Sequence, residues 1–166
     1  HLEAHRNLPQ FRRETRSVLE NIQPHIPDRF QPIFDIASAV GDTDVLGGND
    51  LQLFGHGPDF TTHLIADIES ATDSIHVLTY IFLPDDVGQA MTTALIEAAQ
   101  RGVAVRLLVD AVGSKLLLRS PLRQMLLDGG VQLHEMLPAS PLRIAFARLD
   151  LRNHRKLIVI DNTIGW

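Results

Sequence analysis

Apolar residues recur at helical spacing in three stretches of the chain after residue 51. In residues 59–71 the apolar side chains share one predicted helix face: Phe60, Leu64, Ile65 and Ile68. A second helix is predicted over residues 87–101, because Asp85-Asp86 can cap its start and Gly102 can end it. A third is predicted to begin at Ser120-Pro121 and to end at Gly129-Gly130.

Short, strongly apolar runs typical of β-strands lie between these stretches. The runs are residues 74–82, 103–109, 131–136 and 150–160, with a return strand starting at Ile164. Strands that alternate with helices of this length form βαβ units, so the pattern predicts an α/β fold with a mixed or parallel sheet flanked by helices. In such folds, sites form at the carboxyl ends of the strands.

The first 45 residues follow a different pattern. Residues 3–20 are charged and could form a helix, and Pro24, Pro27 and Pro32, which follow this stretch, should break any long helix. We interpret residues 1–45 as a linker or interfacial helical segment, and an ordinary surface helix and loop fits equally well. Residues 46–166 would form the α/β domain.

Composition restricts the classes of function. A chain of 166 residues, 45% of them hydrophobic, can bury one core of ordinary size, and its formal net charge of −5 argues against a generally basic nucleic-acid binder. The lack of cysteine excludes disulfides and thiolate metal sites, and the histidines lack metal-ligand spacing, so no metal or other cofactor is predicted. The sequence holds no run of about 18 apolar residues that could cross a bilayer.

Positive charge is concentrated near the end of the chain. A single acid, Asp150, lies among the five cations of this region: Arg143, Arg148, Arg152, Arg155 and Lys156. Such a segment could meet anionic lipid head groups, although a solvated loop and strand often carry the same pattern.

The strongest chemical signal is an H-x-K-x4-D spacing formed by His154, Lys156 and Asp161, hereafter the motif. Successive side chains of a strand point to opposite faces, so His154 and Lys156 are predicted to project together from one face. An imidazole can attack phosphorus while a neighbouring ammonium stabilises the non-bridging oxygens. The motif therefore indicates phosphodiester chemistry that needs no metal.

The rarity of lysine strengthens this interpretation. The chain holds only Lys115 and Lys156, against thirteen arginines. Residues 157–160 are a continuous apolar run, as expected of a strand buried on both faces, where an ionised Lys156 would be costly unless it served a site. The alternative is a chance match on an ordinary half-exposed strand.

Asp161 is predicted to play a different part from the other two motif residues. It lies an odd number of residues from His154, so on an unbroken strand it would face the other way. We expect it to support the site from a turn over residues 161–163, or to reach a histidine on a neighbouring element.

Four further residues are candidates for substrate binding. Asp110 follows the apolar run 103–109 and Ser114 follows in the next loop, so both could line a pocket, although a capping aspartate and a tight glycine turn are the ordinary explanation. Tyr80, the only tyrosine, lies in a hydrophobic run where its hydroxyl needs a partner, and core packing is its simpler role. Asn153 could assist His154.

Residues 137–146 could form an apolar flap over a lipid site, or a loop covering its own core.

Residues 153–161 resemble the first catalytic motif of the phospholipase D superfamily, and the flanking sequence resembles bacterial cardiolipin synthases. The segments that carry the resemblance fall in that family's order: residues 48–53, 79–82, 106–110, 112–114, 119–121, 136–138 and 148–152. On this resemblance, residues 46–166 are the first phospholipase D-like domain. Members carry two motifs and a Gly-Ser pair after the return strand, whereas this sequence has one motif and no such pair. We therefore expect a piece of a longer chain, truncated after the motif.

The resemblance implies a transphosphatidylase that makes cardiolipin and glycerol from two phosphatidylglycerol molecules through a phosphohistidine. It implies catalytic roles for His154, as nucleophile or as acid and base, for Lys156, as holder of the phosphate oxygens, and for Asp161. It also implies phosphatidylglycerol and other anionic phospholipids as partners, a bacterial cell membrane as location, and no nucleic acid. A homodimer could pair two motifs, and the isolated 166-residue chain is expected to be inactive as a monomer.

Two alternatives stay open. Another phospholipase D-type phosphodiesterase, a phospholipase or a nuclease, would use the same residues for hydrolysis. A noncatalytic fragment that binds anionic lipid is the alternative from a different class, since one motif supplies half a site.

Overall fold

A computed structural model describes residues 24–41, 45–137 and 153–166. The chain divides into two compact units, His1–Leu53 and Phe54–Trp166. Three predicted features lie outside the described residues: the helix over 3–20, the flap after Leu137, and the cations Arg143, Arg148 and Arg152.

In the first unit, a 3-10 turn (Asp28–Phe30) leads into helix α1 (Gln31–Gly41). Pro32 lies in the first turn of α1, where a helix leaves its backbone N–H groups unpaired, so this helix tolerates the proline. Ile33, Ile36 and Val40 are exposed and share one side of α1. No helix in the described part of the chain is long and apolar enough to span a bilayer.

The second unit is an α/β unit built on a mixed five-stranded sheet, as predicted. Its strands are β1 (Ser74–Thr79), β2 (Ala104–Asp110), β3 (Gln132–Met136), β4 (Leu157–Ile160) and β5 (Ile164–Gly165), in the spatial order β3-β2-β1-β4-β5. The β1–β2 and β2–β3 pairs are parallel, whereas β4 runs antiparallel to both β1 and β5.

The helices of this unit are α2 (Gly57–Ser70), α3 (Asp86–Gln100), α4 (Lys115–Arg119) and α5 (Pro121–Asp128). The predicted cap of α3 is confirmed, because an Asp85 Oδ1 accepts a hydrogen bond of 2.9 Å from the Gly88 N–H. Helix α3 connects β1 to β2, and α5 lies in the connection from β2 to β3. The helices α3 and α5 contact each other, and α2 packs on α3. The short helix α4 was not predicted.

The core lies between these helices and the sheet face that they cover. Its sheet residues are Ile75, Val77, Val105, Leu107, Val109 and Ile160, and its helix residues include Leu64, Ile68, Leu95, Leu117 and Leu126. The opposite face of the sheet carries side chains that are half-buried or exposed, among them His76, Leu78, Arg106, Leu108 and Val159. Side chains that alternate along each strand therefore give the sheet one buried face and one partly exposed face.

Trp166 fastens the β5 edge of the sheet to α2. Its ring stacks on Phe54 and meets Phe60 edge-on, with a centroid distance of 5.1 Å in each case. Its indole Nε1–H donates a hydrogen bond of 2.8 Å to Asp67 Oδ2 on α2. The tryptophan thus satisfies its polar atom while its ring covers apolar surface.

A tight turn joins β4 to β5, as predicted. Asp161 and Asn162 have φ angles of 50° and 54°, and the Thr163 N–H donates to the Ile160 carbonyl at 3.0 Å. Two central residues with positive φ define the type I′ geometry, whose twist matches that of a hairpin. Asp and Asn tolerate this left-handed backbone better than most residues.

The carboxylate of Asp161 accepts four hydrogen bonds from the segment that precedes β1. Oδ2 receives the Thr72 N–H at 2.8 Å and the Thr72 hydroxyl at 3.0 Å, and Oδ1 receives the N–H groups of Asp73 at 2.9 Å and Ser74 at 2.8 Å. Backbone donation from Ser74, Thr72 and Asp73 lowers the pKa of Asp161 from its usual 3.8 to about 2. The ionised side chain therefore connects the β4–β5 turn to the start of β1.

Two adjacent leucines of α4 test the position of the core. Leu117 is 0% exposed and Leu116 is 60% exposed. Leu117→Ala should lower the free energy of unfolding by about 2–5 kcal/mol, because it removes buried methyl groups and leaves a cavity. Leu116→Ala should change it by less than about 0.5 kcal/mol. Urea unfolding of both variants measures the difference, and equal losses would contradict the assigned core.

Asp161→Asn should destabilise the protein near neutral pH, because an amide NH2 would face two of the four donors that now meet an oxygen. The folded-state pKa is depressed, so the stabilisation by Asp161 is fully present above about pH 5 and is lost as pH falls through 3.8 toward 2. The stability difference between the native chain and the variant should shrink over that range in urea unfolding. Asp73→Asn is the control, since that side chain makes no hydrogen bond with the described residues.

Candidate active site

The structure brings His154 and Lys156 to the carboxyl end of β1. The register that opposes Leu157 to Leu78 carries residues 153–156 past the end of that strand, alongside residues 79–81. The rings of His154 and Tyr80 are 4.2 Å apart between centroids, at an interplanar angle of 41°. Strand β4 begins only at Leu157, so the prediction that His154 and Lys156 lie within the strand was wrong.

Lys156 is exposed, and its ammonium forms no hydrogen bond or ion pair with any residue in the described ranges. The run that follows it is not buried on both faces as predicted: Leu157 is 48% exposed, and Ile160 is the residue of β4 that is buried. The argument that Lys156 must serve a site because it is buried therefore does not hold. Its charge is open to an anionic ligand.

Tyr80 forms the wall behind the His154 imidazole. It is half-buried, and its backbone and ring pack closely on Gly113 in the loop after β2. A Cβ at position 113 would lie 2.2 Å from the Tyr80 carbonyl oxygen and 2.9 Å from ring atom Cε2, so this approach requires glycine. Tyr80 reaches the site through its ring, and its hydroxyl makes no hydrogen bond with the described residues.

Asp110 and Ser114 are fully buried and are hydrogen-bonded within the chain. Asp110 Oδ1 accepts from the N–H groups of Val112 and Gly113, both at 2.9 Å. Ser114 Oγ accepts from the Phe82 N–H at 2.9 Å and donates to the Tyr80 carbonyl at 3.1 Å. Both side chains therefore shape and join the loops after β1 and β2, and neither is open to a substrate.

Asn153 is half-buried, and its Oδ1 accepts a hydrogen bond of 3.0 Å from the Arg155 N–H. This Asx-type contact bends the backbone just before Lys156. The oxygen of Asn153 is thus occupied in holding the turn on which His154 lies.

The structure does not bring Asp161 together with His154. The two residues lie at opposite ends of β4, separated by roughly 20 Å of extended backbone. Among the described residues, the Asp161 carboxylate accepts hydrogen bonds from residues 72–74 at the amino end of β1, and from no histidine.

A cavity of about 440 Å³ lies beside Lys156 on the helix-covered side of the sheet. Apolar side chains form most of its wall, including Leu64, Val77, Phe82, Met91 and Ile158. The sequence does not reveal this cavity, because hydrophobic periodicity marks these positions as core and does not show where the core leaves a gap. Within residues 24–41, 45–137 and 153–166, no three His, Asp or Glu residues form a cluster that could hold a metal ion.

Similar proteins point to one family. Residues 64–166 match the family described as cardiolipin synthase, PLD-like domain. The cardiolipin synthase of Geobacillus sp. (strain WCH70) is 39% identical over 146 residues, which are 87% of this chain and 28% of that protein. Cardiolipin synthase A of Edwardsiella ictaluri (strain 93-146) is 34% identical over 153 residues, 92% of this chain and 32% of that protein.

Among solved structures, the phospholipase D family member Nuc from Salmonella typhimurium is similar, with a TM-score of 0.42 and 24% identity, covering 61% of this chain and 57% of Nuc. The chain spans less than a third of the length of the two curated relatives, at 28% and 32%. Since the family match covers residues 64–166, which include β1, the motif and most of the residues that line the cavity, the chain belongs to the cardiolipin synthase family of phospholipase D-like domains.

Proposed function

We propose that this chain contributes one half of the active site of a phosphatidyltransferase that makes cardiolipin from phosphatidylglycerol. The observation that carries the proposal is an imidazole in contact with the Tyr80 ring and, two residues away, an ammonium without a partner among the described residues, in a chain of this family. Those are the groups that phosphoryl transfer without a metal needs: a nucleophile or proton carrier, and a fixed cation for the phosphate oxygens.

In the proposed first step, a ring nitrogen of His154 attacks the phosphorus of one phosphatidylglycerol. A P–N bond forms, the P–O bond to the head-group glycerol breaks, and the leaving oxygen takes a proton from a second acid. Lys156 stabilises the negative charge on the non-bridging oxygens as the phosphorus becomes five-coordinate. In the second step, the head-group hydroxyl of another phosphatidylglycerol loses its proton to the resulting base and displaces His154.

The second acid and base must come from another copy of the motif, because this chain holds one. Either a further region of a longer chain or a second copy of this chain could supply it. His154 could then also act as the acid and base toward a nucleophilic histidine of that second motif. The function requires two motifs face to face, so residues 1–166 as a monomer should be inactive.

Contact with a bacterial cell membrane is part of the proposal, since both substrates are lipids. The exposed stripe of Ile33, Ile36 and Val40 on α1 supports an interfacial role for the segment that we place before the catalytic domain. Helices that lie in a bilayer surface carry apolar residues at this spacing on one side.

Removal of the imidazole should abolish transfer. In the full natural chain that contains residues 1–166, His154→Ala should lower kcat by more than about a hundredfold with radiolabelled phosphatidylglycerol as substrate. His134→Ala, an exposed histidine on β3, should leave kcat unchanged. Retention of more than about a tenth of the activity, roughly 1.4 kcal/mol of barrier, would sink the assigned role. Thin-layer analysis of the products separates transfer from hydrolysis.

Lysine geometry should matter as well as charge. Lys156→Arg should lower kcat severely, because a planar guanidinium cannot replace a compact ammonium at the same distance from the phosphate. The chain offers one matched control, Lys115→Arg, which changes its other, exposed lysine. Steady-state kinetics give kcat for both variants. A near-normal kcat for Lys156→Arg would show that Lys156 is only a surface charge.

The ring of Tyr80 should position His154 without using its hydroxyl. Tyr80→Phe should therefore keep near-normal kcat, whereas Gly113→Ala should lower kcat at least about tenfold, because its Cβ displaces the ring on which the imidazole rests. Gly165→Ala controls for backbone effects, since a Cβ there meets no atom within 4 Å. Loss of activity in Tyr80→Phe would show that the hydroxyl takes part in the chemistry.

A further inference from the structure

The cavity beside Lys156 has a mostly apolar wall and one positively charged lining residue, Lys156. It lies between α2, the start of α3 and the β1–β4 pair. Among its lining residues, Lys156 is the cation and Asp85 is the acid, and Asp85 Oδ1 is already bonded to the Gly88 N–H. A ligand in this space would therefore meet apolar side chains along most of its length and an ammonium at one point.

The size and chemistry of the cavity fit part of an amphiphile. Cavities that take organic ligands have volumes of about 300–1,000 Å³, and this one measures about 440 Å³. Because most of its wall is apolar, an apolar group that enters the cavity leaves water for apolar contacts. The ammonium has no carboxylate partner among the described residues, so it favours an occupant that carries negative charge next to its apolar part.

We propose that this cavity binds one acyl chain of the phospholipid whose phosphate is held by Lys156. The inference rests on the proposed function and adds to it the way in which the lipid is held. Lys156 borders the cavity and is two residues from His154, so a phosphate between His154 and Lys156 has its glycerol backbone at the mouth of the cavity. The first carbons of an acyl chain then enter between Thr61 of α2 and Ile158 of β4.

The proposal makes turnover depend on chain length. Burial of one methylene is worth about a fourfold change in an equilibrium constant. Two methylenes removed from the bound chain should therefore lower kcat/KM by roughly fifteenfold, through KM. The comparison uses dioctanoyl- and dihexanoyl-phosphatidylglycerol, each below its micelle-forming concentration, so that membrane binding plays no part.

Two neighbouring threonines of α2 provide matched variants. Thr61 lines the cavity and is half-buried, whereas Thr62 is exposed and lies outside it. The two hydroxyls make the same contact, with the carbonyl four residues earlier, at 3.1 Å and 2.9 Å. In the full natural chain, Thr61→Trp should fill the cavity and reduce the ratio of kcat/KM between the two lipids to below about threefold. Thr62→Trp should keep the native ratio.

A second measurement does not depend on activity or on these variants. Phosphatidylglycerol with a photoactivatable diazirine in its acyl chain should label peptides from residues 60–64 and 82–91 of the native protein in vesicles. Labels confined to other segments, such as α1, would overturn the proposal even if Thr61→Trp does not fold.

The kinetic outcomes separate this inference from the proposed function. A native ratio near one, or an unchanged ratio in Thr61→Trp, overturns the acyl-chain site while His154→Ala still tests the transferase. Turnover that survives His154→Ala overturns the transferase mechanism itself. If a segment of the protein fills the cavity, Thr61→Trp lowers the melting temperature without changing the ratio, and that result also contradicts the acyl-chain site.

Discussion

The antiparallel pairing of β4 with β1 is the interaction on which the candidate site depends. It opposes Ile160 to Ile75 and Leu157 to Leu78, residues about eighty positions apart in the sequence. The segment before β4 then has to run along the carboxyl end of β1, where the imidazole of His154 meets Tyr80. Because such long-range pairing closes a large loop, its entropic cost must be offset by contacts that form only in the folded chain.

Buried polar groups hold the other side of the site in place. Ser114 bonds to both Tyr80 and Phe82, so the loop after β1 is joined to the loop after β2. Gly113 lets the Tyr80 ring approach the second loop, and Asp110 fixes the backbone of that loop. A buried hydroxyl left without its partners would be costly, so these contacts make the position of Tyr80 specific. The ring against which the His154 imidazole lies is thus held in place from inside the protein by buried residues.

Local signals explain what the sequence predicted well. The start of α3 follows from the side chain of Asp85, and the start of α5 follows from Pro121, since caps act within a few residues. The predicted strand over residues 74–82 was too long, because the last apolar residues pack elsewhere: the Tyr80 ring lies on Gly113 of the loop after β2, and Phe82 is buried against Gly88 of α3. Strand pairing ends at Thr79, and no local pattern marks that point.

The position of each candidate site residue depended on contacts that the sequence does not display. The motif identified His154 and Lys156 by residue type and spacing, but the exposure of Lys156 reflects where β4 begins. The role of Asp161 depends on the N–H groups of residues 72–74, which reach it only after the sheet has formed. Asp110 and Ser114 were assigned to the pocket from their place after a strand, and only burial reveals that they face inward.

The hydrogen bonds of Asp161 give the motif spacing a geometric meaning. The four residues between Lys156 and Asp161 are the whole of β4, from Leu157 to Ile160. With the aspartate fixed at the amino end of β1, the lysine falls at the other end of the same pairing. A slip of one residue would bring Arg155 to the cavity and turn Ile160 out of the core. The four-residue interval in the motif is therefore the length of one strand, and Asp161 sets the alignment that places Lys156, and not Arg155, beside the cavity.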